Sequence, residues 1–76
     1  MTVEIVKNGK IVMRSRNLAG IFRYQQKEDI YVKKAWREGY YLNVVFSDSA
    51  RCRVKFCSRE VLDTWIKTRQ KSGIFP

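Results

Sequence analysis

From Arg51 to Phe56 the chain alternates cationic and apolar residues without a break: Arg51, Cys52, Arg53, Val54, Lys55, Phe56. Side chains of a strand point to opposite faces in turn, so this period-2 pattern sorts the two classes cleanly only if the segment is extended. A helix would scatter both sets around its circumference. The stretch 51–57 therefore reads as a strand with Cys52, Val54 and Phe56 facing a core. Arg51, Arg53, Lys55 and Cys57 then face away. Whatever the chain folds into must cover one side of this strand and leave the other in water, the arrangement of an antiparallel sheet with one solvated face.

The flanking segments supply the rest of such a sheet. Asn8-Gly9, between Thr2–Val6 and Lys10–Arg14, is a residue pair that suits the positive φ angles of a two-residue hairpin turn. That turn would pair Val6 with Ile11 and Ile5 with Val12. Ser15 or Asn17 can cap a helix running to about Gln26, whose Leu18, Ile21 and Phe22 share one face. Gly20 inside it costs ~1 kcal/mol relative to alanine. Ile30–Arg37 and Tyr40–Phe46 read as strands around a Glu38-Gly39 turn, with Tyr40, Leu42, Val44 and Phe46 inward, and 47–50 as a polar turn. Ser58 caps a second helix with an apolar stripe of Val61, Leu62, Trp65 and Ile66. Gly73 can end it, and 73–76 reads as a loose tail. The expected fold is α+β, in the order β-β-α-β-β-β-α, an antiparallel sheet with two helices on one face. It forms a single domain over 1–76, of which 1–14 is an N-terminal hairpin. A domain of this size buries only ~60% of its unfolded surface, which leaves no room for a large core plus a deep cleft.

Charge narrows the class of partner. Sixteen Lys and Arg stand against seven Asp and Glu, a net charge of +9 with no histidine. On so small a domain this excess creates a positive potential that attracts polyanions. The acids sit largely at element ends: Glu28 and Asp29 before a strand, Glu38 and Asp48 at turns, Glu60 and Asp63 at a helix start. The strand cations are left with little neutralisation. Other chemistries find no residues. Without histidine there is no His-based metal site or catalytic dyad, and two dispersed cysteines make no zinc site. The glycines are isolated, so none builds a phosphate-cradling loop, and no nucleophile has a base in reach. The expectation is a binding protein and not an enzyme, with no cofactor and no metal. Cys52 and Cys57, five residues apart on one strand, would lie roughly 16 Å from each other and cannot bridge. Free thiols suit a reducing compartment. No secretory leader opens the chain and no apolar run nears the ~20 residues of a membrane span, so the expected place is the cytoplasm, away from the membrane.

The solvated face of the sheet carries the functional expectation. Arg51, Arg53 and Lys55 share it with Tyr41, Asn43 and Val45 from the preceding strand and with Tyr31, Lys33 and Arg37 from the strand before that. Cations at alternate strand positions lie ~6.6 Å apart, an array able to follow a charged backbone. Tyrosines among them offer ring faces to bases. Arg51, Arg53, Lys55, Lys33 and Arg37 are thus the candidate phosphate contacts and Tyr31 and Tyr41 the candidate stacking residues for a nucleic acid, DNA or RNA. Set against this, any antiparallel sheet with one wet face puts polar residues there, and Lys, Arg and Tyr are ordinary choices. Trp65 is expected in the core and Trp36 packed over the sheet edge.

Two resemblances bear on these residues. The α-β-β-β-α order from Ser15 to Lys71 is similar to the double-stranded-RNA-binding domain, a family that grips phosphates with a lysine cluster at the start of its second helix. The corresponding stretch here, Ser58-Arg59-Glu60-Val61-Leu62-Asp63, has two acids and no such cluster, so no RNA-binding residue carries over. The run Arg16-Asn17-Leu18-Ala19-Gly20-Ile21, the basic hairpin ending in Phe56, and the Val-Leu-x-x-Trp-Ile core of 58–69 resemble small basic proteins encoded in phages and prophages. That resemblance implies a mobile-element origin more than a mechanism. It also admits a second reading, in which the same cations meet carboxylates on an acidic host protein, as an inhibitor or modulator of a host enzyme. A third is a homodimer built through the exposed edge of the Asn8-Gly9 hairpin.

Overall fold

Asn8 and Gly9 both adopt positive φ, 53° and 76°, the backbone that matches a tight turn to the twist of its strands. They join β1 (Val3–Lys7) to β2 (Lys10–Ser15). The remaining elements are α1 (Ala19–Glu28), β3 (Val32–Glu38), β4 (Tyr41–Phe46), β5 (Arg51–Lys55) and α2 (Arg59–Lys71). The computed structural model describes residues 2–71, with side chains through 68. The tail expected at 73–76 and the helix end at Gly73 lie outside the described residues.

The fold is α+β in the expected element order, with every strand pairing antiparallel. The strands form one five-stranded sheet in the order β2-β1-β5-β4-β3. The last strand in the chain therefore lies in the middle, joining the N-terminal hairpin to the β3–β4–β5 meander. Connecting β2 to β3 means passing from one edge of the sheet to the other, about 19 Å at the usual strand spacing. The ten residues of α1 span about 15 Å of that distance as helix, and their apolar side packs on the sheet as they go. Ile21 and Tyr24 from α1 and Leu62 from α2 join Val3, Ile5, Leu42, Val44, Phe46, Cys52 and Val54 in a single buried cluster. The Tyr24 and Phe46 rings meet edge-on at 5.0 Å. Trp65 is half-buried and packs its ring 6.0 Å from Phe56 at the rim of that core. Burial pushes the Cys52 thiol up to about 12; Cys57 is exposed, and both cysteines are free.

Two β-bulges correct the expected registers. Val6 pairs with Ile11 as expected, but Ile5 pairs with Met13, because β2 carries Val12 as an extra residue. In β3 the register shifts between Val32 and Lys34. Val32 lies opposite buried Phe46, and the next pairs are Lys34 with Val45, Ala35 with Val44, Trp36 with Asn43, Arg37 with Leu42 and Glu38 with Tyr41. An extra residue reverses the alternation beyond it. Lys34, Trp36 and Glu38 therefore share the open face, and Arg37 turns to the helical side. Tyr40, expected inward, lies in the β3–β4 turn and is exposed.

Asn17, outside the helix proper, accepts the Ala19 amide on its Oδ1 at 3.0 Å, and Ser58 Oγ accepts the Val61 amide at the start of α2. Gly20 explains how α1 begins so close to β2: a Cβ there would stand 2.4 Å from Ser15 Cβ and 2.8 Å from its Oγ. The apparent helix weakness is a close-approach site. Farther along, Tyr24 donates its hydroxyl to Asp48 Oδ2 at 2.6 Å, the Ala50 amide donates to Oδ1, and Lys7 Nζ stands 3.4 Å away. This ties α1, the β4–β5 turn and the first hairpin together. Burial alone would raise the Asp48 carboxyl, but the hydrogen bonds from Tyr24, Ala50 and Lys7 outweigh it and hold the group below its usual range. Burial first, and then the Asp48 carboxylate, push the Tyr24 hydroxyl upward.

Two outcomes follow. Gly20→Ala should lower the denaturation midpoint although alanine is the better helix former: overpacking costs about 1–3 kcal/mol against a gain of about 1 kcal/mol in propensity. A raised midpoint in urea would contradict the close approach. Because the Asp48 carboxyl is lower in the folded than in the unfolded chain, its stabilisation is complete above the ordinary carboxylate range, about pH 4, and is lost as pH falls through the folded value. Asp48→Asn should melt below wild type at neutral pH and show a shallower loss between about pH 5 and pH 2. Parallel acid limbs for the two proteins would contradict the network.

Candidate functional site

Registers place the side chains of the open face in three cross-strand rows. One row runs Ile11, Val6, Arg51, Val45, Lys34. The next runs Arg14 to Glu4 on the hairpin and Arg53, Asn43, Trp36 on the meander. The third is Lys55, Tyr41, Glu38. Paired residues within a row sit about 5 Å apart at Cβ, close enough for direct contact. The hairpin half of the face is apolar at Val6 and Ile11, both exposed. The meander half is cationic and aromatic.

The two acids in these rows, one on each half, are already engaged. Arg14 holds Glu4 at 2.8 Å and Arg53 holds Glu38 at 3.2 Å. Arg53 also lays its guanidinium 3.9 Å from the centre of the Tyr41 ring. Both ion pairs are largely solvent-exposed, where such a pair contributes about 0–1 kcal/mol and gives way readily to a better anion. Arg51, Lys55 and Lys34 have no carboxylate partner among the described residues. Lys34 Nζ lies 5.1 Å from the ring centre of Trp36, which is 38% exposed.

The residues expected at the site divide as follows. Arg51, Arg53, Lys55 and Tyr41 are brought together on one face, with Tyr41 half-buried and its ring taken by Arg53. Lys33 is the bulge residue of the β3 edge, and Tyr31, 65% exposed, precedes that strand. Arg37 is not part of the face. The bulge turns it to the other side, where it donates to Asp63 Oδ1 on α2. Its place is taken by Lys34 and Trp36; Trp36, on the edge strand β3, stands on the open face. Glu38 and Glu4 add negative charge to a face expected to have little.

Between the first two rows lies a shallow depression of about 380 Å³, lined by Glu4, Trp36, Asn43, Val45, Arg51 and Arg53. Asn43 is one of its central lining residues, between Trp36 and Arg53 in register. The Asn43 Nδ2 is covered from solvent and has no hydrogen-bond partner, the one buried side-chain nitrogen or oxygen in that condition among the described residues. A covered donor left unmade costs about 1–3 kcal/mol. Elsewhere the described residues offer a basic hollow at Arg14, Arg16 and Arg23, where Arg23 already donates to Ser15 Oγ. They also offer an apolar groove at Phe56, Val61 and Trp65. No group of three or more His, Cys, Asp or Glu among them is placed to hold a metal. No helix of the described residues is long and apolar enough to cross a membrane.

Comparison of the chain with protein-family models, with curated proteins and with solved structures returns no match. What the face can do rests on its own geometry. An unpartnered amide under an otherwise well-paired sheet predicts that Asn43→Val, which removes the donor and suits a strand, melts above wild type. A lower melting temperature would show that the amide has a stabilising partner after all.

Proposed function

We propose that this protein is a non-enzymatic binding protein that holds single-stranded nucleic acid across the open face of its sheet. The observation that carries the reading is the combination, on one surface, of Arg51, Lys55 and Lys34 without carboxylate partners and the exposed indole of Trp36 between them. Phosphates take the charge, and unstacked bases take the ring. A broad, open sheet face of this kind is poorly shaped to enter a duplex groove but suits a strand whose bases are splayed outward. Arg53 joins the phosphate contacts by exchanging Glu38 for the ligand, and Tyr31 and Lys33 extend the track beyond the β3 edge. Two free cysteines favour a reducing compartment such as the cytoplasm for this activity.

The same cations would also suit an acidic protein, so partner capture from lysate with and without nuclease separates the two. Loss of the partner on nuclease treatment supports the nucleic-acid reading; a protein partner retained after it overturns that reading. The direct test is salt dependence. Log affinity for a single-stranded oligonucleotide should fall linearly with log salt, and replacing Arg51, Lys55 and Lys34 together by alanine should flatten the slope by roughly 2. Arg37→Ala, on the helical side, should leave the slope as it is. An unchanged slope in the triple variant, or an equal flattening from Arg37→Ala, would place the interface elsewhere.

A further inference from the structure

The depression at the centre of the open face has a feature that phosphate binding does not explain. Asparagine is a poor choice for the middle of a strand, and on a wet face a threonine or valine at position 43 would pair as well. Here the asparagine is flanked in register by Trp36 on β3 and Arg53 on β5. Its amide Nδ2 is covered and unpartnered. Buried donors without acceptors are rare, and each calls for a physical cause.

From this we infer that the depression is a base-reading subsite for a single unpaired adenine, with Asn43 as its specificity-determining residue. The inference rests on the single-strand reading above and adds to it a preference among bases. The chemistry matches on three sides. An Asn side-chain amide carries one acceptor and a donor pair in a plane, the complement of the adenine N6 donor and N7 acceptor. Trp36, one row position away on the edge strand, offers the widest ring surface of any side chain for the base to stack on. Arg51 and Arg53 line the opposite wall, where the phosphates flanking the inserted base would lie. The volume of about 380 Å³ falls at the small end of the roughly 300–1,000 Å³ range of ligand clefts, which suits one heterocycle and not a dinucleotide. Arg53, which lines the depression, is more than half exposed, and an exposed side chain changes rotamer within nanoseconds, so this wall can adjust to an incoming base.

Binding of oligo(dA), oligo(dC) and oligo(dT) by the wild-type protein at one fixed salt concentration tests the inference. Oligo(dA) should bind roughly tenfold more tightly than the others, the usual discrimination from a bidentate amide contact. In Asn43→Val that ratio should collapse, so that the three oligonucleotides bind alike. Trp36→Ala, on an exposed edge position, serves as a second variant and should weaken oligo(dA) binding by roughly tenfold or more through lost stacking. Three results overturn the subsite. If wild type binds all three oligonucleotides equally, or Asn43→Val keeps the oligo(dA) preference, the subsite falls and the phosphate track stands. If wild type binds none of them, both fall.

Discussion

The structure depends on the pairing of β5 on both of its edges. It is the last strand in the chain and the middle strand of the sheet, bonded to β1 on one side and β4 on the other. Its Cys52 and Val54 are buried in the cluster that both helices cover, and its Arg51, Arg53 and Lys55 are exposed on the reverse. One register thus sets the core and the outward cations together. A slip of one residue would send both arginines into the core and both apolar residues into water, so the register is strongly specified. Closing β1 onto β5 brings Ile5 opposite Cys52, a contact between segments distant in the sequence, and it turns a hairpin and a meander into one sheet.

A domain this small has little core to spare, and the open face shows what it does with the remainder. On the helical side several contacts are specific: Gly20 lets α1 close on Ser15, Tyr24 is fixed by Asp48, and Arg37 reaches across to Asp63 on α2. The meander half of the open face, in contrast, holds cations without carboxylates, an indole in water and a covered amide without an acceptor. Residues that do little for stability are gathered in one place, as is usual where a surface is shaped for a partner and not for folding alone. The hairpin edge shows a different economy. The extra residue Val12 and the flanking Lys10 and Arg14 make β2 an awkward template for a second sheet, which weighs against the homodimer through this edge.

Much of this could be read from residue order, and the parts that could not share a cause. The alternation from Arg51 to Phe56, the Asn8-Gly9 turn and the Ser58 cap are local signals, and each led to the element it should. The two bulges are not local. Whether Val12 or Lys33 is accommodated as an extra residue is decided by the partner strand, and nothing in Val-Lys-Lys-Ala-Trp marks the change of phase. That single insertion moved Arg37 off the open face and brought Lys34 and Trp36 onto it. Gly20 misled in the opposite direction: propensity counted it against a helix, while tertiary packing requires it. Asn43 was legible as a residue of the open face, but its missing partner appears only once Trp36 and Arg53 are placed beside it.

The most direct measurement is a nitrogen-15 NMR titration of the protein with a single-stranded oligonucleotide. Binding at the open face predicts that the largest shifts fall on the Trp36 indole N–H, the Asn43 side-chain amide and the backbone of β5 around Arg51 and Arg53, with the amides of α1 and α2 little changed. Shifts concentrated on the helices, or on the groove at Val61 and Trp65, would contradict it.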